Sequence, residues 1–162
     1  MLPITEQQLR SSFVNASQRE RKELTLPDLN SLPWDDLDYL GWRDQKKPNL
    51  GYVVADVDGT LVGVLLRKAE GSTRTRPQCS WCEDVHLPND VLYFFAKKAG
   101  AAGRKGDTLG TLVCAEFECS ANVRRPMPAP YLGFDVEAAR VQRIQTLQTH
   151  VANFLRRVCE DS

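Results

Sequence analysis

Apolar residues along this chain fall into several kinds of run, and each predicts a different element. Leu9, Phe13, Val14 and Leu24 share a side at helical spacing, which predicts a helix or a broken pair of helices up to about residue 24. Thr5-Glu-Gln-Gln8 fits a capping box at its start. Pro27 and Pro33 stop any continuation. Residues 52–57 and 60–67 are β-rich runs on either side of Asp58-Gly59, a dipeptide suited to the positive backbone angles of a type I′ turn. They predict a hairpin. Residues 91–95 and 108–113 read as two further strands. Towards the end, Val136, Val141, Ile144, Leu147, Val151, Phe154, Leu155 and Val158 recur at helical spacing behind Asp135, a good N-cap. This stripe predicts a long helix packed on the core.

The intervening stretches are less regular. Residues 32–42 crowd Trp34, Tyr39 and Trp42 among leucines, and are expected to form a short helix or turn that seals one part of the chain against the next. The charged run Arg19-Glu-Arg-Lys-Glu23 reads as a solvated face with internal ion pairs. Residues 97–110 mix glycines with Lys97, Lys98, Arg104 and Lys105, and predict a mobile basic loop between two strands. Cys119-Ser-Ala-Asn-Val-Arg-Arg125 can open a helix, with Pro126, Pro128 and Pro130 as a stiff connector after it.

At 162 residues, 42% hydrophobic and 26% charged, the composition is that of an ordinary globular chain. Formal charge is zero, with 21 basic and 21 acidic side chains. Acidic residues dominate the first 66 positions and basic ones the stretch 67–125, so the surface is polarised, yet the basic excess is too small to make nucleic acid the default partner. Met1-Leu-Pro-Ile-Thr-Glu lacks the pattern of an export signal, and a cytoplasmic, reducing location is expected.

The cysteines then change the picture. Cys79-Ser-Trp-Cys82 and Cys114-Ala-Glu-Phe-Glu-Cys119 are two close pairs separated by 31 residues, the usual signature of a four-thiolate zinc site. A redox role for Cys79 and Cys82, or disulfides among all four, would also use such pairs. No thioredoxin-like pattern flanks the first pair, and a reducing compartment favours metal. His86 is the substitute ligand nearest the pairs, His150 belongs to the last helix, and Cys159 stands apart as a small apolar residue or free thiol. One competing motif needs a test. Val53-Val-Ala-Asp56-Val-Asp58-Gly-Thr-Leu61 matches the first motif of haloacid-dehalogenase-like phosphatases. Such an enzyme needs alternating strands and helices and a distal acidic pair for magnesium. Here a second β-rich run follows the turn at once, so Asp56 and Asp58 are read as hairpin residues.

Taken together, Cys79-x2-Cys82, the Lys-Ala-Gly-Ala-Ala-Gly-Arg-x-Gly stretch and Cys114-x4-Cys119 resemble the C-terminal treble-clef zinc finger of the FBP family. Its FusB-type members are fusidic-acid-resistance proteins that bind elongation factor G and help release it from stalled ribosomes. The segment 32–42 also looks like shorter family members. The resemblance implies an α+β fold without enzymatic activity, with a short helical region at 1–50, a treble-clef domain at 51–134 and a C-terminal helix at 135–162. It implies Zn2+ on Cys79, Cys82, Cys114 and Cys119, and elongation factor G as partner, with a possible ribosome association. Trp81, as a rigid aromatic anchor, and Lys97, Lys98, Arg104 and Lys105, as steering cations, fall where the family's partner surface lies. The helical region here is much shorter than in the resistance proteins. A second reading from the same residues is an RNA-binding zinc module, with Trp81 stacking a base and the cations meeting phosphates.

Overall fold

Five strands in chain order set the architecture of the computed structural model, which describes residues 1–71, 77–85 and 89–160. β1 (Leu40–Arg43), β2 (Leu50–Val57), β3 (Thr60–Lys68), β4 (Val91–Lys97) and β5 (Thr108–Cys114) form one antiparallel meander. The hairpin expected at Asp58-Gly59 joins β2 to β3, with Val57 opposite Thr60 and φ of 53° and 81° at the two turn residues. Asp56 accepts a hydrogen bond from Gly59 N (2.9 Å), and Asp58 pairs with Arg156 (2.8 Å). The parallel sheet that a phosphatase of the tempting motif requires is therefore not what these aspartates sit on. They build a turn.

Strand alternation sends residues to two faces, and each face has its own cover. On the first, α1 (Glu6–Ser12) and α2 (Gln18–Glu23) lie over β1–β3, burying Leu9, Phe13 and Leu24 against Leu40, Tyr52, Val54 and Leu65. The helical run is a broken pair. Thr5 and Gln8 form the expected capping box, and Ser17 with Glu20 forms a second that starts α2. On the second face, α4 (Cys119–Arg124) and α5 (Val136–Cys159) accompany a core of Val53, Val64, Leu66, Phe94, Ala96 and Val113. Leu147, Val151, Phe154, Leu155 and Val158 of α5 are buried there, capped by Asp135, whereas Val141 is 43% exposed. Only the later turns of the predicted stripe are core.

Two expectations are corrected. Residues 40–42, at the end of the stretch expected to form a short helix or turn, belong instead to strand β1, which pairs with β2 from Leu40–Val54 to Arg43–Gly51. Only Trp34–Asp36 is helical in the crowded segment, as one 3-10 turn. The indole N–H groups of Trp34 and Trp42 donate to Leu29 O and Thr25 O, so the aromatics hold down the strandless segment before β1. The glycine-rich connection between β4 and β5 is not a loop throughout, since Gly100–Lys105 forms helix α3. Ala101, Ala102, Arg104 and Lys105 favour helix, and Gly106 ends it in the left-handed region at φ 103°.

Where β3 and β4 part, Asn15 replaces the missing ladder. Its side chain accepts from Leu65 N (2.8 Å) and donates to Leu65 O (3.0 Å) and Lys97 O (2.9 Å). The turn between α1 and α2 is thereby stitched to both strands.

Gly59 sits at a backbone angle that a β-branched residue resists. Gly59→Val is expected to lower stability by about 1–3 kcal/mol, read as a shift in urea midpoint at constant slope; an unchanged midpoint would contradict the turn.

Candidate metal centre

The two cysteine pairs reach one point from different elements. Cys79 and Cys82 flank a tight turn before β4, while Cys114 ends β5 and Cys119 opens α4. Each pair closes on itself through the backbone, with Glu83 N donating to Cys79 O (3.0 Å) and Phe117 N to Cys114 O (2.9 Å). Both turns need a residue at positive φ, and Glu83 (56°) and Phe117 (60°) supply it. That strain is tolerated where surrounding structure over-determines it. The knuckle is hung on the sheet by Ser80 N to Leu112 O (2.8 Å). Phe117 seats the second turn, its ring lying over Gly41 and Gly51, where a side chain would overlap it.

All four thiols are buried, and their sulfurs lie within 4.8 Å of one another. Cys79 Sγ is 3.7 Å from Cys119 Sγ, and Cys82 Sγ is 3.7 Å from Cys114 Sγ. A tetrahedron with zinc–sulfur bonds of about 2.3 Å has edges of about 3.8 Å. The spacing fits. It does not fit a disulfide, which requires sulfurs at about 2 Å.

Electrostatics point the same way. Hydrogen bonding from Cys114, then from Cys119 and Cys82, holds the Cys79 thiol far below its ordinary range. The same contacts, from Cys114 first and then from Cys79 and Cys82, push Cys119 well above it. Cys82 is drawn down as well, to about 7, by its hydrogen bond with Cys114, while Cys114 is pushed up like Cys119; the cluster splits because four like charges cannot gather at this distance uncompensated. A divalent cation reverses that logic and lets all four ionise. Trp81 N and Cys82 N already point at Cys79 Sγ (3.4 and 3.5 Å), as donors to a thiolate should.

Asn122 belongs to this centre and was not identified from the sequence. It is fully buried, one turn after Cys119 on α4, and its amide donates to Cys114 Sγ (3.4 Å) and Cys82 Sγ (3.8 Å). Asn89 donates to its carbonyl (3.2 Å), which fixes the orientation of the amide. The available signal was the three-residue step from a helix-opening ligand, which returns to the same helix face. His86 lies outside the described residues. His150 Nδ1 contacts Trp81 O (3.0 Å) and so braces the knuckle from α5. Cys159 is exposed at the end of α5, away from the cluster.

The proposed partner residues fare unequally. Trp81 is 2% exposed, wedged between Tyr39 (ring centroids 5.4 Å) and Phe154 (5.5 Å). It can be neither a surface anchor nor a base-stacking platform; it is the core residue that ties the knuckle to Tyr39, just before β1, and to α5. Lys97, Arg104 and Lys105 are exposed and Lys98 is half-buried. These cations sit at the far end of β4–β5 from the metal, since Lys97 pairs with Thr108 while Val91 pairs with Cys114. Six residues of strand make that separation about 20 Å. The cysteine end carries a different feature, an open groove of about 710 Å³ between Cys82–Val85 and the 125–130 segment. Val85, Tyr131 and Leu132 nearby are strongly exposed.

A family model described as the FBP C-terminal treble-clef zinc-finger matches residues 8–158. No curated protein matches the chain. The knuckle, the β4–β5 hairpin and the α4 start supply the parts of such a finger, and the buried tetrathiol cluster is its zinc site.

Metal analysis should find one zinc per chain, with release by a strong chelator unfolding the knuckle and α4. Asn122→Ala should weaken zinc affinity by about 10–100-fold in competition with a chromogenic chelator. Cys82→Ser should lower the melting temperature; equal melting of wild type and Cys82→Ser would rule out a structural site.

Proposed function

The chain belongs to the FBP C-terminal treble-clef zinc-finger family, and on that premise we propose that it is a non-catalytic protein that binds translation elongation factor G through its zinc-organised end. The observation that carries this reading is the extent of the match, residues 8–158, which takes in helices, sheet and metal centre together. Among the described residues no helix is long and apolar enough to cross a membrane.

The burial of Trp81 moves the anchor of the interface. Its replacement is the groove beside the metal, lined by Val85, Pro126, Met127, Pro128 and Pro130. Apolar and Met-rich surface is what the desolvated centre of a protein interface uses. One wall follows Cys82 and the other follows α4, so the same ion fixes both. Arg143 spans them, reaching Asp84 (3.2 Å) on one side and Asn122 O (3.0 Å) on the other. Zinc loss would separate the walls. Lys97, Lys98, Arg104 and Lys105, at the other end, act on approach: exposed cations raise the association rate towards an acidic surface more than they add to final affinity. Release of a stalled factor, the step behind fusidic acid resistance, follows only if the protein binds the released conformation more tightly than the ribosome-bound one.

Calorimetry with purified elongation factor G tests the reading. Val85→Asp with Met127→Asp is expected to weaken binding at least tenfold while zinc content and melting hold. Arg104→Glu with Lys105→Glu is expected to slow association and flatten its salt dependence, with dissociation little changed. No binding by the wild-type protein would sink the proposal, and full affinity in the groove variant would move the interface elsewhere.

A further inference from the structure

Among the described residues, the first face of the sheet is only partly covered. α1 and α2 lie over β1–β3, and the buried cluster beneath them takes residues from those strands but none from β4 or β5. Phe94 points into the opposite core, so alternation turns Tyr93, Phe95 and Lys97 onto the uncovered side. Arg67 joins them, since it lies directly opposite Phe95 in the ladder.

Tyr93 is 47% exposed. Its ring lies across Gly110, where a Cβ would overlap the Tyr93 Oη and Cζ atoms. Glycine at that position lets the ring lie down on the backbone, with its outer side left to solvent. Phe95, directly opposite Gly110, is half-buried beside it. Four residues along β4, about 13 Å away, the strip runs into a cleft of about 500 Å³. The cleft is walled by the turn between α1 and α2, by Arg67, Lys97 and Lys98, and by Arg104 of α3. Among the described residues that line it, the one carboxylate is Glu20, paired with Arg67 at 3.0 Å. In a chain of zero formal charge, this is a concentration of positive charge in a concave place.

We propose that the uncovered β4–β5 face binds single-stranded RNA, with Tyr93 stacking an unpaired base and Lys97, Arg67 and Arg104 meeting the phosphates that follow. A flat aromatic beside a basic groove is the arrangement by which proteins hold unpaired nucleotides. A duplex offers no free base face to Tyr93, and a purely acidic protein surface would use the cations without the ring. The site goes beyond the factor-binding reading and does not rest on it: it lies on the opposite side of β4–β5 from α5, towards the end remote from the metal.

The test is fluorescence anisotropy of a short labelled oligouridylate with the zinc-loaded protein, without any factor. Binding should be seen at low salt, with log affinity falling against log salt at a slope of about −2 for three phosphates. Tyr93→Leu keeps an apolar cover on Gly110 but removes the π-face, and should weaken binding about 5–100-fold. Lys97→Gln and Arg104→Gln should each reduce the slope by about 0.7. Arg140→Gln, on α5 across the sheet, should change neither. The groove variant Val85→Asp with Met127→Asp should keep RNA binding, so failure here leaves the factor reading standing and failure there leaves this one. No binding at low salt overturns the proposal, as does equal affinity for a duplex. Loss in the cation variants with wild-type affinity in Tyr93→Leu would also overturn it, and would point to an acidic protein surface instead.

Discussion

Four buried thiols that cannot all ionise unaided are the constraint on which the second half of the chain depends. The segment holding Cys79–Cys82 has no regular secondary structure of its own, and only a turn separates Cys114 at the end of β5 from Cys119 at the start of α4. Backbone bonds close each turn, and Ser80 N to Leu112 O ties the knuckle to the sheet. What brings the pairs together is the ion's demand for a tetrahedron, and what repays their burial is the neutralisation of charge that a divalent cation provides. The packing around them is built to accept that arrangement. Trp81 fills the space between Tyr39 and Phe154, Phe117 lies on the glycines of β1 and β2, and Asn122 offers its amide to two of the sulfurs.

The features legible in the sequence were those fixed by local chemistry. Cysteine spacing, the Asp58-Gly59 turn, the Thr5 and Asp135 caps and the late turns of α5 depend on residues close in the chain, and each is found as expected. What escaped notice depends on partners far away. β1 is four residues, too short to show alternation, and is a strand because β2 pairs with it. Trp81 reads as a surface aromatic within a knuckle until Tyr39 and Phe154, from 42 residues before and 73 after, close over it. The turn residues Glu83 and Phe117 give no warning of positive φ, since neither is a residue type that favours it. In α3 the alanines and long cations outweigh the glycines of the same stretch, and Gly106 acts as its terminator.

The sheet also separates two requirements that the sequence places close together. In the chain, Lys97 and Arg104 fall between the cysteine pairs, as parts of one finger would. In space, β4 runs away from the metal and β5 returns to it, so the cations stand at the distal end of the hairpin. Each end is held by different physics. The metal end is fixed by thiolate coordination and by aromatic packing. The distal end is fixed by Asn15, which bridges Leu65 and Lys97, and by Ala99 N to Val158 O, which ties the start of α3 to the end of α5. A rigid two-stranded element clamped at both ends can present two surfaces in a constant relation.

That division has a consequence for how ligands at the two ends influence one another. Coupling between sites requires an element with two arrangements whose balance both ligands shift. β4 and β5 are joined by seven consecutive register pairs, with Phe94 and Ala96 of β4 and Val113 of β5 fully buried, and nothing in that packing offers a second arrangement. The metal end is different, because its order is conditional on the ion. On the proposed reading, zinc is the switch for the groove, whose walls it joins, while the distal cleft keeps its own supports in Asn15 and α5. A factor bound at the groove, as proposed, would answer to metal occupancy, and an RNA at the cleft to ionic strength. The fold keeps these two dependences apart by the length of one hairpin.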